Sequence, residues 1–397
     1  MKKKKIAIFG SYNGTSIGDT AILVGMLNIL NDIYGDKLEI NVLVMSRINI
    51  LKEIKFLNFD IKINEIVITE FVKSKNIIKK GQLILKKIKN KFKQEVIKQD
   101  TLNLALKDVD LLIIGGGNLI MDLYEDSPNL IKTITDIANK NKVPYVFLGV
   151  GAGPLYTKKA KEIFFKILKN SKKIYVRDSK SKFLLENNFK TLDIGIIPDL
   201  AFAINYKVKK NKKETLLVNI ASLYSNDWPE KDLKKFNFYI ENVVEIVKKL
   251  YLTQKFSKIK LFYSNYPLDR LGGTKFLTYF DNNFNIDEVN KKLSVKDLIE
   301  LGAEAKLSLI TRLHAGITTY VGGANIVAVS YQPKVQNVLS EYNITNFIFD
   351  LNFNNKDLIL EKVIESLDYS TIHQNENLYK LRMDIKKIIQ TVVGEIK

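Results

Sequence analysis

LLIIGGGN at residues 111–118 is a run of aliphatic residues that ends at three consecutive glycines. The same pattern returns in IAIFG at 6–10 and in YVFLGVGAGP at 145–154. Continuous apolar runs closed by glycine are typical of strands covered on both faces by helices, and the stretches between them have helical periodicity. The sequence therefore predicts an α/β fold with parallel sheets, whose strands include Ile6–Phe9, Ile40–Val44, Leu111–Ile114, Tyr145–Gly149, Lys173–Val176, Leu216–Ile220, Lys258–Tyr263, Leu307–Ile310 and Ile326–Ser330.

The chain divides near its midpoint at the polar, charged stretch NYKVKKNKKE, residues 205–214. This division predicts an N-terminal α/β domain over 1–205, a linker over 206–214 and a C-terminal α/β domain over 215–397. Two such halves would enclose a central cleft, with ligands beside the loops that follow the carboxyl ends of the strands. A last helix, about 376–393, is a candidate to pack back across the first half.

The amino-acid composition limits the kinds of active site and metal site that the protein can form. The 397 residues include no cysteine and only two histidines, which excludes thiolate metal sites and a cysteine nucleophile and predicts no metal centre. No apolar run is long enough to span a membrane, and the N-terminus MKKKKIAIFG lacks a signal-peptide core, so a cytoplasmic location is expected. The net charge of +19 suits nucleic acid, anionic lipid or an anionic substrate and does not choose among them.

The first strand-to-helix loop is GSYNGTSIGDT, residues 10–20, which predicts a helix opening at about Asp19. Gly10, Gly14 and Gly18 are four residues apart and let backbone N–H groups crowd an anion at the helix N-terminus. The pattern is neither GxGxxG nor GxxxxGK[ST], which argues against an ordinary dinucleotide fold and a P-loop kinase. Asp19 is either the N-cap of the helix or a group directed at substrate hydroxyls.

Two more glycine-rich turns, Gly115 to Asn118 and Gly149 to Gly153, follow strands of the same half. Each alone is consistent with a tight turn, but three close-approach loops at one end of a sheet favour a substrate-lined wall. In KKIYVRDS, residues 172–179, Asp178 or Ser179 is expected to cap a helix. Arg177 is not needed for capping, so it is either a solvated arginine or a ligand for carboxylate or phosphate.

The stretch LSLITRLHAGI, residues 307–317, is the most informative one. A strand would end at Thr311 as N-cap, which places Arg312 and His314 in the first turn of a helix, where free N–H groups and the helix dipole attract an anion. Imidazole is also the side chain best able to exchange a proton near neutral pH. The alternative is a core histidine bonded to backbone. His373 lies in a polar segment and is predicted to be a surface residue.

Residues 73–98 carry ten lysines and one glutamate, with apolar residues spaced near one helical face. A basic amphipathic helix of this kind can lie on anionic lipid, which would suit a lipid-linked substrate. The alternative is a helix that packs its apolar stripe on the sheet and leaves its lysines in water. Nucleic acid is not expected as a partner, because no array of aromatic residues accompanies the lysines.

Taken together, the motifs resemble the polysaccharide pyruvyl transferase family. The matching segments are IGDTAI, GGGNLI, GVGAGP, YVRDS, IIPDLAF, TRLHAGI and SYQPK, in the expected order over about residues 6 to 334. The resemblance implies a GT-B-like fold of two facing Rossmann-like domains. It also implies transfer of pyruvate from phosphoenolpyruvate to two hydroxyls of a sugar as a cyclic ketal, in a surface polysaccharide or lipid-linked glycan precursor, with no cofactor.

The resemblance further implies roles for particular residues. His314 would act as general acid, and Asp19 or Asp199 would deprotonate a sugar hydroxyl. Ser16, Thr20 and Asn118 depart from the family pattern, which leaves the acceptor sugar unnamed. A nucleotide-sugar glycosyltransferase and a catalytically idle glycan- or lipid-binding protein are the competing interpretations. The predicted substrate contacts are Arg312, Leu313, Arg177, Gly18, Gly116, Gly117, Asn118, Gly151, Asp199 and Lys334.

Overall fold

The computed structural model describes residues 3–12, 16–46, 48–57, 59–73, 93–123, 127–208, 214–226, 228, 231–331, 333–350, 356–367 and 371–395. These residues build two parallel sheets with helices on both faces. The helices are α1 (Ile17–Tyr34), α2 (Ile50–Ile54), α3 (Gln99–Leu106), α4 (Ser127–Lys140), α5 (Lys158–Asn170), α6 (Ser179–Asn188), α7 (Leu233–Leu252), α8 (Arg270–Leu277), α9 (Val295–Glu304), α10 (Leu313–Gly322), α11 (Pro333–Glu341), α12 (Lys356–Ser366) and α13 (Thr371–Gly394).

The first sheet has its strands in the order β10-β9-β8-β6-β1-β2-β3, with β7 beside β8, and every pairing in it is parallel. Buried aliphatic side chains fill its central strands, as continuous apolar runs require. A separate antiparallel pair, β4-β5, follows β3. The strands are β1 (Lys4–Phe9), β2 (Leu38–Val44), β3 (Lys62–Val67), β4 (Thr69–Lys73), β5 (Lys93–Ile97), β6 (Leu111–Gly115), β7 (Asn118–Ile120), β8 (Tyr145–Ala152), β9 (Ile174–Val176) and β10 (Gly195–Ile196).

The second sheet is also parallel, in the order β13-β12-β11-β14-β15-β16. All strands of the first sheet precede residue 205, and all strands of the second follow residue 214; residues 209–213 of the predicted linker lie outside the described ones. The two-sheet α/β class predicted from sequence is confirmed. The strands are β11 (Thr215–Asn219), β12 (Lys258–Phe262), β13 (Ile286–Glu288), β14 (Ala305–Ile310), β15 (Asn325–Ser330) and β16 (Thr345–Asp350).

The last helix, α13, returns to the first half of the chain. The Lys4 ammonium donates to the carbonyl of Val393 (2.7 Å), and Arg382 donates to the carbonyl of Phe202 (3.2 Å). One core cluster contains buried residues from α1, α9, α10 and α13 together. The two halves are therefore joined by a continuous apolar interface, which fixes the rims of the two sheets relative to each other.

The predicted basic helix over 73–98 is wrong where the structure describes it. Lys73 ends β4, and Lys93–Ile97 form β5, paired antiparallel with that strand, while residues 74–92 lie outside the described ones. The N–H of Lys98 also donates to the carbonyl of Ile68 (2.8 Å), which extends this pairing. In the described part of the chain, no helix is both long and apolar enough to cross a membrane.

Candidate active site

A cavity of about 190 Å³ opens between the carboxyl ends of the two sheets. The first half contributes the loop after β1, the turn after β6 and the residue after β9; the second half contributes the segments after β12, β14 and β15. Parallel strands bring their carboxyl ends to the same edge, so these loops converge. The lining residues are Ser16, Gly18, Asp19, Gly117, Asn118, Arg177, Ser264, Asn265, Arg312, Leu313, His314, Tyr331 and Lys334.

Helix α10 begins one residue later than the sequence predicts. Arg312 is the N-cap, with extended backbone (φ −99°, ψ 133°), and Leu313 is the first helical residue. Thr311 cannot cap, because its hydroxyl donates to the carbonyl of Asn219 (3.1 Å) and is paired with the Tyr239 hydroxyl (2.8 Å). His314 still lies in the first turn, with its side chain in the cavity.

Arg312 is held in a fixed orientation by a buried carboxylate. Its Nε and Nη2 donate to Asp269 at 2.6 and 2.5 Å, and its backbone N–H donates to the Asn219 side chain at 3.1 Å. Its guanidinium carbon lies 6.0 Å from the centre of the Trp228 ring, within cation–π range. Burial disfavours the charged form, but the Asp269 pair outweighs it and raises the pKa of Arg312. The guanidinium is therefore a permanent, oriented cation at the cavity wall.

His314 and Arg177 meet at one carboxylate, Asp199. The Nε2 atom of His314 lies 3.3 Å from Asp199 Oδ2, and Nη1 of Arg177 lies 3.4 Å from the same oxygen. Burial alone would raise the pKa of Asp199, but the neighbouring His314 and Arg177 charges lower it to about 2. Asp199, a predicted substrate contact, is fully buried and does not line the cavity; it lies against the side chains of Arg177 and His314.

Gly18 lets the first helix approach the imidazole. A Cβ at this position would lie 2.3 Å from His314 Nδ1, so glycine is required for the contact between α1 and α10. The N-cap of α1 is Ser16, and Asp19 lies in the first turn, which corrects the expected helix start and removes the N-cap interpretation of Asp19. Burial raises the pKa of Asp19, although the nearby cationic groups act in the opposite direction.

Lys334 lies at the first turn of α11, where its exposed side chain reaches the mouth of the cavity. Partial loss of hydration, together with the charges of Arg177 and Arg312, lowers the pKa of Lys334 to about 8. Arg177, Arg312 and Lys334 all line this cavity, and the two guanidinium charges disfavour the charged form of the Lys334 ammonium.

The glycine turns contribute in two ways. Gly117 and Asn118 line the cavity, whereas Gly116 and Gly151, both predicted to contact substrate, do not. Gly116 adopts φ +79° against Tyr12, and a Cβ on Gly151 would lie 2.6 Å from the Asn118 amide oxygen and 3.0 Å from the Arg177 guanidinium. Gly151 therefore makes room for the lining residues Asn118 and Arg177, whereas Gly116 makes room for Tyr12 and Ile22, which lie outside the lining. The predicted loop from Gly149 is also mostly strand, because β8 continues to Ala152.

Sequence reasoning missed Asp269, Ser264, Asn265 and Tyr331. Asp269 follows β12 by seven residues, in a segment with no glycine motif before it, and it meets Arg312 only because β12 and β14 flank β11. The Ser264 hydroxyl is buried and has no hydrogen-bond partner among the described residues, although it lines the cavity. A search for polar residues just beyond every predicted strand would have found Ser264 and Asn265.

The fold is shared with solved structures that include two UDP-GlcNAc 2-epimerases. The UDP-GlcNAc 2-epimerase from Methanocaldococcus jannaschii superimposes with TM-score 0.59 at 11% identity, covering 98% of this chain and 99% of that one. TarM gives 0.58 at 10% identity with 98% of both chains covered. The Neisseria meningitidis UDP-GlcNAc 2-epimerase bound to UDP-GlcNAc gives 0.56 at 11% identity, covering 99% and 100%. These likenesses define a two-domain α/β fold of GT-B type.

The sequence itself matches a family more specifically than the fold does. Residues 17–333, most of the chain, match the model of the family described as Polysaccharide pyruvyl transferase. The chain belongs to the polysaccharide pyruvyl transferase family, and the resemblance seen in its motifs is confirmed. A search of the curated proteins finds no match.

Proposed function

We propose that this protein transfers the pyruvyl group of phosphoenolpyruvate to two hydroxyls of one sugar, forming a cyclic ketal and releasing phosphate. The C2–O bond to phosphate breaks, two C–O bonds to the sugar form, and the C3 methylene becomes a methyl group. The two hydroxyl protons are both accounted for, since one reaches C3 and the other leaves with phosphate. The reaction needs no oxidant, reductant or organic cofactor.

The observation that carries the proposal is the cavity's combination of small size and positive charge. Arg177, Arg312 and Lys334 surround about 190 Å³, together with the N-terminus of α10. Pockets for drug-sized ligands occupy about 300–1,000 Å³, so this space suits a small ligand. Phosphoenolpyruvate carries a phosphate and a carboxylate on three carbons, and cationic side chains with a helix N-terminus stabilise such charges well.

Two side chains in the cavity are placed for proton transfer. The imidazole of His314 lies 3.3 Å from Asp199, whose carboxylate stays ionised, and it lines the cavity, where we assign it the role of proton donor to C3 of the donor substrate. Asp19 lines the cavity, and burial raises its pKa, so it is the better candidate to accept a proton from a sugar hydroxyl. Of the two carboxylates considered from sequence, we assign this role to Asp19, and we assign Asp199 to positioning.

The fold supports a second candidate, transfer from a nucleotide sugar, because the solved relatives in fold act on or bind such compounds. That activity would need room for a base and a ribose. The cavity of about 190 Å³ lies below the volumes of about 300–1,000 Å³ that are typical for drug-sized ligands, so we place this candidate second.

Product analysis tests the proposal. The purified protein is incubated with phosphoenolpyruvate labelled with ¹³C at C2 and with a panel of methyl hexopyranosides carrying free diols. We expect sugar-dependent phosphate release and a ¹³C signal in the ketal region. Asp19→Asn and His314→Gln should each lower the rate by about 10²–10⁴-fold, as loss of a general acid or base does. His373→Gln, the matched control at an exposed histidine, should react at the wild-type rate.

A different outcome would redirect the assignment. Hydrolysis of a nucleotide sugar, or glycosyl transfer from it, without any use of phosphoenolpyruvate would contradict the proposal and favour the glycosyltransferase. Variants at His314 and Asp19 that keep the wild-type rate would contradict the roles assigned to these side chains.

A further inference from the structure

Three large apolar side chains are exposed to solvent on the segments that follow β7, β8 and β9 of the first sheet. Leu123, Tyr156 and Phe183 are 58%, 74% and 65% exposed. Two of them follow a cavity-lining residue closely in the sequence: Leu123 comes five positions after Asn118, and Phe183 comes six positions after Arg177. Tyr156 likewise follows Gly151, which packs against both of those wall residues. Scattered exposed apolar residues are ordinary, but three on segments that follow neighbouring strands of one sheet call for an explanation.

The first two of these side chains lie on segments that are bonded to each other. The Asp122 carboxylate accepts hydrogen bonds from the N–H groups of Tyr156 (2.8 Å) and Thr157 (2.6 Å). The N–H of Asp122 in turn donates to the carbonyl of Pro154 (3.1 Å). Leu123 and Tyr156 therefore emerge from adjacent, mutually fixed backbone.

Phe183 belongs to the same edge of the first sheet. The N–H of Ala152 donates to the Ser181 hydroxyl (3.0 Å), which ties the end of β8 to the first turn of α6. A Cβ on Gly153 would lie 3.0 Å from the Leu184 side chain, so the two segments are in close contact. We call Leu123, Tyr156 and Phe183 the rim patch.

Basic side chains accompany the rim patch. Lys158 and Lys159 open α5 directly after Tyr156, and Lys180 precedes Phe183 in α6. All three lysines are exposed, and none forms an ion pair with any residue in the described ranges. Two acidic residues in the described part of this edge are engaged: Asp122 accepts backbone N–H groups, and Glu186 is paired with Lys182 (3.6 Å).

We propose that the rim patch and its lysines dock on an anionic lipid bilayer. Apolar and aromatic side chains enter the interface of a bilayer while lysines beside them contact anionic headgroups, and surfaces that combine both bind peripherally. Tyrosine in particular favours this interface, because its ring is apolar and its hydroxyl is polar. The cavity would then face the bilayer surface, where a lipid-linked sugar could reach it; only this last step rests on the proposed function.

Vesicle flotation tests the docking surface without any activity assay. The full chain is mixed with vesicles of phosphatidylcholine alone or with about 30% phosphatidylglycerol. We expect binding to the anionic vesicles, at least about tenfold weaker binding to the neutral ones, and weakening by salt. The triple variant Leu123→Ser/Tyr156→Ser/Phe183→Ser should lose at least about tenfold in affinity for anionic vesicles.

A matched control distinguishes binding through the rim patch from nonspecific binding through other exposed apolar side chains. Leu104→Ser/Leu252→Ser/Tyr379→Ser removes three side chains of similar exposure on other faces and should bind as the wild type does. Equal loss in both triple variants, retained binding in the rim variant, or no binding by the wild type would each overturn the proposal. A rim variant that changes from dimer to monomer in light scattering and still binds vesicles would assign the patch to self-association instead.

Stabilisation by phosphoenolpyruvate provides the remaining control. The rim variant should show the same thermal shift with this ligand as the wild type, because the rim patch lies outside the cavity lining. Loss of vesicle binding with an unchanged thermal shift supports the docking surface on a folded protein. Absence of the shift in the wild type would count against the proposed donor and would leave the vesicle result to decide the docking proposal separately.

Discussion

The two arginines of the cavity, one from each half of the molecule, are held very differently. Arg312 makes two short bonds to Asp269, at 2.6 and 2.5 Å, and its side chain remains 20% exposed. Arg177 is almost fully buried, lies 3.4 Å from Asp199 and 3.6 Å from Asp178, and its Nε has no hydrogen-bond partner among the residues that the structure describes. One guanidinium is therefore fixed as a planar fork, and the other is loosely held between two carboxylates.

This difference suggests that Arg312 and Arg177, one from each half, have different roles in binding the donor. A bidentate pair fixes both the position and the plane of a guanidinium, so Arg312 offers a preset cation to the donor. Arg177 keeps bonding capacity that a bound anion can use, and it shares its carboxylate with His314. The Tyr342 hydroxyl of the second half also donates to the carbonyl of Arg177 (2.8 Å), so this looser site depends on contact between the halves.

The largest loss of stability is expected from removing the carboxylate that faces Arg177. Asp199→Asn removes the fully buried charge that faces both Arg177 and His314, and it should lower the free energy of unfolding by about 3–5 kcal/mol. Urea unfolding followed by circular dichroism measures this loss. Asp193→Asn, at an exposed position six residues earlier, is the matched control and should change stability little. Equal effects of the two substitutions would contradict a special role for Asp199.

The pH dependence of the free energy of unfolding provides a second test of the role of Asp199. The pKa of Asp199 is about 2 in the folded protein, against about 3.9 for a free aspartate. Its stabilising contribution is therefore complete above about pH 4 and is lost as pH falls toward 2. The difference in stability between wild type and Asp199→Asn should shrink over that window.

A smaller loss is expected from breaking the Arg312 site. Asp269→Asn removes two charge-assisted hydrogen bonds, but Arg312 stays partly hydrated, so stability should fall by about 2 kcal/mol. Affinity for phosphoenolpyruvate should fall less than turnover does, because the cation remains while its orientation is lost. Asp287→Asn, which breaks the exposed pair with Lys258, is the control and should cost less than about 1 kcal/mol. Unchanged turnover in Asp269→Asn would contradict the claim that Asp269 orients the Arg312 guanidinium for the reaction.

The smallest effect is expected from the charge of Lys334, which lines the cavity together with the two arginines. The pKa of Lys334 is about 8, so raising the pH from 7 to 9 should remove its positive charge and weaken binding of phosphoenolpyruvate by up to about tenfold. Calorimetric titration at the two pH values measures the change. Lys334→Gln should bind weakly at both pH values and lose most of this pH dependence. An equally steep pH dependence in that variant would assign the effect to another group.

The contrast between the two arginines also shows which features of the fold and of the site can be predicted from the sequence. The strands, the two sheets and the placement of His314 and Arg312 after a strand follow from apolar runs that end at turn or helix signals, which are local patterns. The pairing of Arg312 with Asp269 is not local, because 43 residues separate them and the crossing order of the sheet brings them together. Asp199 was predicted as a substrate contact, yet burial makes it a support for two other side chains.

Helix starts were predicted less well than strands, for a physical reason. Thr311 has the side chain of a good N-cap, but its hydroxyl is used by Asn219 and Tyr239 from another strand and helix. Asp19 was a possible N-cap until the structure placed Ser16 there. In both cases tertiary hydrogen bonds and packing decided between candidates that local propensity leaves equal.

The most direct test of the central claim, that this cavity is a donor site for a small dianionic ligand, is calorimetric titration of the protein with phosphoenolpyruvate and, separately, with UDP-GlcNAc. We predict one site for phosphoenolpyruvate and none for UDP-GlcNAc. Arg312→Lys keeps the charge but loses the planar fork and should bind phosphoenolpyruvate at least about tenfold more weakly, whereas His373→Gln should bind like the wild type. Binding of UDP-GlcNAc without binding of phosphoenolpyruvate would contradict the account.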